Sequence, residues 1–202
     1  MAITTYSELQ TAIANWLDRS DLTDRIPEFI SLAEARFIRK LNHWRMEGRS
    51  TANTVAGTRT LALPSDYIAA RNFKINTSTV DVLEYMPPSV LYEGSSSQGT
   101  PKYYTIQGSQ LVLEPIPDSV YQVELNYTAF SKLSDSNTTN WLLTYFPDAY
   151  LYGSLVQGSA YMINDERVPM WKAALDEVIK EIQKEDRAAR WNGTPLTIRV
   201  EV

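Results

Sequence analysis

The chain has no cysteine and only one histidine among its 202 residues. Without cysteine there is no disulfide, no thiolate nucleophile and no cysteine-ligated metal. A Ser-His-Asp or Cys-His catalytic system cannot be argued from His43 alone, which lies at the predicted end of a helix, where a polar group is favoured. The other possible metal ligands are carboxylates, and no aspartate-rich calcium-loop spacing occurs. We therefore expect no catalytic residue, no metal site and no cofactor.

Long hydrophobic runs and an excess of positive charge are missing as well. The longest uncharged helical stretch, Ala149 to Asn164, is too short and too polar to span a bilayer. The N-terminus lacks the basic region and apolar run of a signal peptide. The net charge is −5, whereas proteins that grip DNA phosphates usually have at least one basic face. These absences favour a soluble, non-secreted protein that does not bind DNA tightly.

Hydrophobic residues make up 44% of the chain and charged residues 21%, which is enough apolar material for a sizeable core and argues against global disorder. Apolar residues recur at helical spacing near both ends of the chain, whereas the middle shows short apolar runs broken by turn residues. We predict an α+β fold, mainly an α-helical bundle of about four helices, with an inserted antiparallel β module and an extended C-terminal tail. The predicted boundaries are 1–45 and 141–191 for the bundle, 46–140 for the β domain and 192–202 for the tail.

Several local patterns make this prediction more specific. Thr5 to Glu8 fits a capping box at the start of the first helix, and Gly108-Ser109 fits a tight hairpin turn. Gly153 and Gly158 lie inside a predicted helix, where we expect them to allow close helix packing. Two apolar helix faces are expected, one formed by Trp141, Tyr145, Ala149, Tyr152, Val156 and Ala160, and one by Trp171, Leu175, Val178 and Ile182. After Ile182 the apolar pattern fades, which predicts a projecting helix end.

In the last predicted strand, apolar and polar residues alternate, which indicates one buried face and one face in water. The apolar set is Tyr121, Val123, Leu125 and Tyr127, and the polar set is Gln122, Glu124, Asn126 and Thr128.

Three surface features remain as candidate sites. A basic cluster is formed by Arg36, Arg39, Lys40, Arg45 and Arg49, which could contact DNA or an acidic neighbouring subunit, or simply be a solvated face. A segment without an apolar anchor predicts a mobile loop, and it consists of Gly94, Ser95, Ser96, Ser97, Gln98 and Gly99. Residues 195–202 alternate like a strand, which could pair with a partner's sheet or with the protein's own.

The order and spacing of several short motifs resemble a known family over most of the chain. These motifs are Leu63-Pro64-Ser65-Asp66-Tyr67, Gly99-Thr100-Pro101-Lys102-Tyr103-Tyr104, Leu111-Val112-Leu113-Glu114-Pro115, Ser134-Asp135 leading to Asn140-Trp141-Leu142-Leu143, and Pro147-Asp148-Ala149-Tyr150-Leu151-Tyr152-Gly153. The sequence resembles the bacteriophage head-to-tail adaptor, or connector, proteins. It is similar to the tail accessory factors and tail tubular proteins of short-tailed phages.

This resemblance implies a structural virion protein rather than an enzyme. It implies a homo-oligomeric ring, usually a dodecamer, at the head–tail junction, assembled in the host cytoplasm. The expected partners are the portal protein and a tail or nozzle protein, with DNA passing through the lumen without specific binding. In such rings the C-terminal segment often reaches the portal, so the expected portal contacts are Leu196, Ile198 and Val200 together with Arg187, Arg190 and Trp191.

Other functions stay open from the sequence. The first alternative is a tail-completion protein or a subunit of another connector layer. Peptidoglycan hydrolysis would need two carboxylates, and the available ones are Asp148 with Asp165-Glu166, or Glu185-Asp186; each also fits a helix cap or a solvated face. DNA binding would depend on the basic cluster alone.

Overall fold

The structure is a computed structural model that describes residues 2–77, 80–91, 97–161 and 166–191. The chain divides into two compact units. The first, here called the helical unit, is built from residues 1–45 and 131–202, and the second, here called the β unit, from residues 46–130. The β unit is therefore one continuous stretch of chain inserted into the helical unit.

The described residues form six α-helices and ten β-strands. The helices are α1 (Tyr6–Leu17), α2 (Ile26–Lys40), α3 (Pro88–Leu91), α4 (Trp141–Tyr145), α5 (Pro147–Gly158) and α6 (Val168–Trp191). The strands are β1 (Glu47–Asn53), β2 (Thr60–Ala62), β3 (Tyr67–Asn76), β4 (Val80–Val82), β5 (Glu84–Tyr85), β6 (Gln98–Gly99), β7 (Tyr103–Gln107), β8 (Gln110–Glu114), β9 (Ile116–Pro117) and β10 (Gln122–Ala129). Short 3₁₀ helices occur at Ser20–Arg25, Trp44–Met46 and Ser159–Tyr161.

The prediction of a mainly helical four-helix bundle is wrong. The β unit is a substantial body, with two four-stranded sheets and one two-stranded sheet. Two of its pairings, β5 with β7 and β6 with β9, are parallel rather than antiparallel. The sequence pattern missed α3, β6 and β9 because two to four residues are too few to repeat a helical or strand period.

The first two helices begin where local chemistry favours a helix start. The Thr5 hydroxyl accepts a hydrogen bond from the Glu8 amide at 3.3 Å, and the Glu8 carboxylate accepts one from the Thr5 amide at 3.0 Å, which confirms the capping box. Pro27 occupies the first turn of α2, where its missing amide has no helical partner to lose. Helix α2 begins only at Ile26, because residues 20–25 form a 3₁₀ helix.

Helix α5 is the centre of the helical unit, since α1, α2, α4 and α6 all pack against it. The predicted apolar stripe along this part of the chain is wrong. Pro147 ends α4 and starts α5, so the two helices do not share one face, and Tyr145 is more than half exposed. Residues on most sides of α5 are buried instead: Ala149, Tyr150, Leu151, Gly153, Ser154, Leu155 and Gly158.

Glycine allows the close packing of α5 against α2. A Cβ atom added to Gly153 would lie 2.6 Å from Phe37 Cζ, and one added to Gly158 would lie 3.2 Å from Phe29 Cε2. These distances confirm the sequence prediction for both glycines. The predicted buried face of α6 is confirmed too, since Trp171, Leu175, Val178 and Ile182 are all buried.

In the β unit, sheet A has the strand order β1-β10-β3-β4, and sheet B has the order β2-β8-β7-β5. The predicted hairpin turn is confirmed between β7 and β8, with Gly108 at a positive φ of 58° that glycine adopts without strain. Nine side chains from these strands and the segment between β4 and β5 form one buried cluster: Phe73, Ile75, Leu83, Tyr104, Leu111, Leu113, Val123, Leu125 and Tyr127.

The two faces of β10 differ as the alternation predicted, with two exceptions. Val123, Leu125 and Tyr127 join the buried cluster. The opposite face was expected to be in water, yet Glu124 and Thr128 are buried. Long side chains from the neighbouring strands cover Glu124, as described below, and the sequence of one strand cannot show what its neighbours place over it.

Candidate functional site

The five residues of the predicted basic cluster are not one free positive surface. Arg36 on α2 forms an ion pair with Asp176 on α6 at 3.7 Å, and Arg45 forms one with Glu185 at 3.2 Å. Arg49 belongs to the β unit, where it pairs with Glu124. Arg39 and Lys40, in the last turn of α2, are exposed, and neither forms an ion pair with another described residue. The positive charge available to a partner on α2 is therefore concentrated in these last two side chains.

Arg45 forms the centre of an aromatic arrangement on the helical unit. Its guanidinium carbon lies 4.4 Å from the centroid of the Trp44 ring and 3.8 Å from that of the Tyr145 ring. Both distances suit cation–π attraction. Trp44 is 40% exposed and Tyr145 is 55% exposed. We call Trp44, Arg45 and Tyr145 the Trp44 patch.

The last turns of α6 hold the Trp44 patch in place. The Trp44 amide donates a hydrogen bond of 2.8 Å to Asp186 Oδ1, and Arg190 Nε donates one of 2.8 Å to Asp186 Oδ2. Burial raises the pKa of Asp186, but the hydrogen bonds from Arg190 and from Trp44 outweigh it and leave the pKa below its usual value. The sequence predicted that the helix end projects after Ile182. Up to residue 186, however, α6 stays in contact with Trp44. The sequence pattern faded there because the contacts are polar, not apolar.

His43 lies directly beneath this patch. Its ring is 1% exposed and stacks on Trp141 with the ring centroids 4.9 Å apart and the planes within 7° of parallel. Its Nδ1 accepts a hydrogen bond from the Arg45 amide, while Nε2 is 4.0 Å from Glu185. Burial lowers the pKa of His43, despite the nearby Asp186 and Glu185 carboxylates. A neutral, buried and stacked ring fits a structural role.

A second polar group lies in the interior of the helical unit, on α2 and α5. Glu34 is buried, and its Oε1 accepts hydrogen bonds from the Leu133 amide at 2.8 Å and from the Tyr150 hydroxyl at 2.9 Å. Asn140 donates to that hydroxyl at 2.6 Å and caps α4 through the Leu143 amide. Burial raises the pKa of Glu34 and of Tyr150. This network holds the segment 131–140 against the helices.

Three of the carboxylates considered for hydrolysis, Asp148, Glu185 and Asp186, have structural partners, and Glu166 is exposed. Asp148 accepts a hydrogen bond from the Ala149 amide at the start of α5. Glu185 and Asp186 bind Arg45, Arg190 and the Trp44 backbone, and Asp165 lies outside the described residues. Within the described part of the chain, no group of three or more His, Cys, Asp or Glu side chains could hold a metal ion. None of the described helices is both long enough and apolar enough to cross a bilayer.

Some of the remaining predicted site residues lie within the part of the chain that the structure describes, and others lie outside it. Arg187 is exposed on α6, Arg190 pairs with Asp186, and Trp191 is the last residue of that helix. Leu196, Ile198 and Val200 lie outside the described residues, and so do Gly94, Ser95 and Ser96 of the predicted loop. Gln98 and Gly99 form β6, which pairs with β9, and Ser97 accepts a hydrogen bond from the Ile116 amide.

Sequence reasoning missed the Trp44 patch and the Glu34 network. Arg45 was recognised only as a positive charge, although it follows a tryptophan directly. Glu34 lies between Ile30, Ala33 and Phe37 on the apolar face of α2. A carboxylate at a position that the helical period assigns to the core is a visible signal of a buried hydrogen-bonded group.

Together, Trp44, Arg45 and Tyr145 form an exposed surface that is anchored to the last turns of α6. Tryptophan, tyrosine and arginine are the residue types that most often dominate binding energy at protein interfaces. The sequence model of the SU10 adaptor protein family matches residues 4–199. The chain belongs to the SU10 adaptor protein family. No curated protein matches the chain.

Membership of the SU10 adaptor family places the protein among bacteriophage adaptor proteins, which are structural components of the virion. The resemblance read from the ordered motifs is thereby confirmed. For an adaptor, whose role implies contact with other virion components, the exposed Trp44 patch is a candidate binding surface.

Proposed function

We propose that this SU10 adaptor family protein is a non-enzymatic subunit of a ring that docks on the portal and joins the phage head to the tail. The family match over residues 4–199 carries the proposal. We expect a ring of twelve subunits, with the portal protein on one side and a tail or nozzle protein on the other. DNA passes through its lumen without specific binding, and the ring stands at the head–tail junction.

The first experiment mixes the purified protein with purified portal protein and measures the products by native mass spectrometry and electron microscopy. We expect a defined multi-subunit complex that does not form without portal. If no complex forms over a range of salt and protein concentrations, the portal-docking proposal is wrong. A tail-completion protein or a subunit of another connector layer is then the better assignment, and the tail proteins become the partners to test.

Within this proposal, the Trp44 patch is a contact surface of the assembled ring. Its ion pair with Glu185 and its link to Asp186 fix the aromatic rings before a partner arrives, which lowers the entropy lost on binding. Trp44→Ala should reduce complex formation by about tenfold or more, as expected for an interface anchor. Trp16 is the matched control, because it is 42% exposed and contacts Tyr152 on the same unit. Equal effects of Trp44→Ala and Trp16→Ala would remove the patch from the interface.

The end of the chain is the second proposed contact with the portal. The residues assigned to this contact are Arg187, Arg190 and Trp191 on α6, and Leu196, Ile198 and Val200 in the segment that follows. A chain that ends at Trp191 should bind portal much more weakly than the full chain. Equal binding by the two chains would exclude the segment from the portal contact.

The charges of the protein support passage of DNA rather than attachment to it. The net charge is −5, and three members of the basic cluster are already paired with carboxylates. We therefore expect no retardation of duplex DNA in a gel even at low salt, where phosphate contacts are strongest. Retardation that weakens as salt rises would instead support DNA binding. A zymogram with peptidoglycan should show no lysis, and a clear band would support the hydrolase alternative.

A further inference from the structure

Strand β4 is an edge strand with two exposed apolar side chains. Val80 and Val82 are 65% and 64% exposed. They lie opposite Asn76 and Lys74 of β3, whereas Asp81 lies opposite Ile75, which belongs to the buried cluster. Directly opposite residues share a face of the sheet, so both valines are on the outer face of sheet A. Among the described residues, no strand pairs with the outer edge of β4.

The other edge of sheet A is of a different kind. Strand β1 carries polar or charged residues at five of its seven positions, among them Glu47 and Arg49. Charged side chains on an edge discourage the addition of another strand, whereas an open edge with apolar side chains is a template for it. Within the described part of the chain, sheet A is therefore protected along β1 and open along β4.

We propose that the edge of β4 receives the C-terminal segment Leu196–Val202 of a second copy of this chain as an added strand. In this segment Leu196, Ile198, Val200 and Val202 alternate with Thr197, Arg199 and Glu201. Pairing Ile198-Arg199-Val200 with Val80-Asp81-Val82 puts apolar side chains together on the outer face. It also puts Arg199 on the same face as Asp81, so the opposite charges are neighbours.

The length of the chain after α6 suits this role. Eleven residues follow Trp191, and in extended conformation they span up to about 36 Å. A strand donated by each copy and received by the next gives a head-to-tail contact, which closes into a ring when the rotation between copies allows it. The choice of a second copy rests on the proposed ring, but the pairing itself requires no portal.

The same segment is also proposed as a portal contact, and the two contacts are compatible. An added strand pairs with β4 along one edge only, so its other edge and its outer face stay available to the portal. Since the pairing is measured without portal, its failure is distinguishable from failure of portal binding.

The absence of cysteine from the natural chain makes a disulfide test direct. Two full-length variants, Val82→Cys and Ile198→Cys, are purified separately, one with an affinity tag, and mixed under mild oxidation. We expect a disulfide-linked dimer that contains one chain of each kind, since opposed side chains in neighbouring strands lie close enough for a disulfide. A second trial uses Val200→Cys in place of Ile198→Cys, because Val200 lies opposite Val82 if the added strand runs in the other direction.

The matched control is Val120→Cys, because Val120 is 67% exposed and belongs to the same unit. It should link to Ile198→Cys and Val200→Cys only at the background level. Equal linking at Val120 and Val82 would overturn the proposal, and so would no linking at Val82 with either tail variant. If Val82→Cys and Ile198→Cys link only when both are in one chain, the segment occupies its own sheet, and the second-copy assignment is wrong.

A charged edge provides an independent check on a folded protein. Val80→Lys in the Val82→Cys chain should lower the yield of mixed dimer by about tenfold, because lysine on an edge opposes strand addition. Val55→Lys, at a position that is also highly exposed in the β unit, should leave the yield unchanged. Circular dichroism establishes that each variant is folded. An unchanged yield with Val80→Lys would contradict pairing along β4.

Discussion

The helical unit and the β unit both bury carboxylates, but they stabilise them in different ways. In the helical unit, Glu34 receives hydrogen bonds from two neutral groups, the Leu133 amide and the Tyr150 hydroxyl. In the β unit, Glu124 lies beside Arg49 and Lys74, and Glu114 pairs with Arg59 at 2.6 Å. In the closed interior between the helices, the hydrogen-bond donors that reach Glu34 are fixed neutral groups. A sheet face can be reached by long, partly exposed cations from the next strand.

This difference leads to different tolerances for change. Neutral donors that are buried lose all hydrogen bonding when their acceptor is removed, whereas an exposed arginine returns to water at little cost. The two units can be observed separately, because all five tryptophans lie in residues 1–45 and 131–202. Tryptophan fluorescence therefore reports on the helical unit, and circular dichroism reports on both units.

The largest effect is expected for Glu34→Ala. It leaves the Leu133 amide and the Tyr150 hydroxyl without an acceptor in a buried site, at a cost of about 1–3 kcal/mol each, so the helical unit should lose about 4 kcal/mol of stability. Urea unfolding followed by tryptophan fluorescence measures this loss. Glu34→Gln is the matched control, because its amide oxygen can accept both hydrogen bonds. If both variants lose the same stability at pH 7, the hydrogen bonds are not what Glu34 contributes.

Gly153→Ala tests how tightly the helical interior is closed. The added Cβ would lie 2.6 Å from Phe37 Cζ, and overpacking of this kind typically costs 1–3 kcal/mol, less about 1 kcal/mol gained from helix propensity. A net loss of up to about 2 kcal/mol is expected from the same fluorescence measurement. Gly158→Ala, with a nearest contact of 3.2 Å, should be close to neutral. The reverse order would show that α2 and α5 separate easily at Gly153.

Acid should weaken the helical unit through His43. Because burial lowers the pKa of His43 in the folded state, the unfolded chain binds a proton more readily, and stability falls as pH drops below about 6.5. Glu34 acts in the opposite sense. Its pKa is raised in the folded state, so its protonation stabilises the fold at low pH, and this stabilisation is lost as pH rises above about 4.5. The free energy of unfolding in urea is measured by tryptophan fluorescence for wild type and His43→Gln between pH 7.5 and pH 5.5. The difference between them isolates the histidine, because Glu34 is common to both. Parallel pH profiles would contradict this assignment.

The smallest effect is expected for Glu124→Gln in the β unit. Arg49 is largely exposed, so the lost ion pair should cost about 0.5 kcal/mol, with less difference from wild type at high salt. The shift should occur in circular dichroism and be absent from tryptophan fluorescence. A loss as large as that of Glu34→Ala would remove the contrast between the units, and an equal shift in both signals would show that they unfold together.

Local patterns predicted the parts of the fold in which a few neighbouring residues decide the outcome. The capping box at Thr5, the turn at Gly108 and the buried face from Trp171 to Ile182 were all recognisable because their chemistry lies within one or two turns of chain. The break at Pro147 was also visible in the sequence, yet the apolar spacing on both sides of it imitated one continuous helix. Helix α5 then gave no usable face pattern because it is buried on most sides.

The candidate site was harder to predict because it joins residues far apart in the chain. Arg45 meets Glu185, and the Trp44 amide meets Asp186, across about 140 positions. No spacing rule relates such partners, so the basic cluster was grouped by proximity in sequence, which brought together residues that have different ion-pair partners. The family resemblance succeeded for a different reason, since it depends on the order of motifs over the whole chain.

The β unit starts and finishes on neighbouring strands. Glu47, at the start of β1, pairs with Thr128, near the end of β10, and paired residues in antiparallel strands have Cα atoms about 5 Å apart. A stretch of chain whose two ends nearly meet can be replaced by a short turn, or by another domain with closely spaced ends, without moving the residues before and after it. The two ends of residues 46–130 meet this condition, so replacing the β unit should leave the helical scaffold intact.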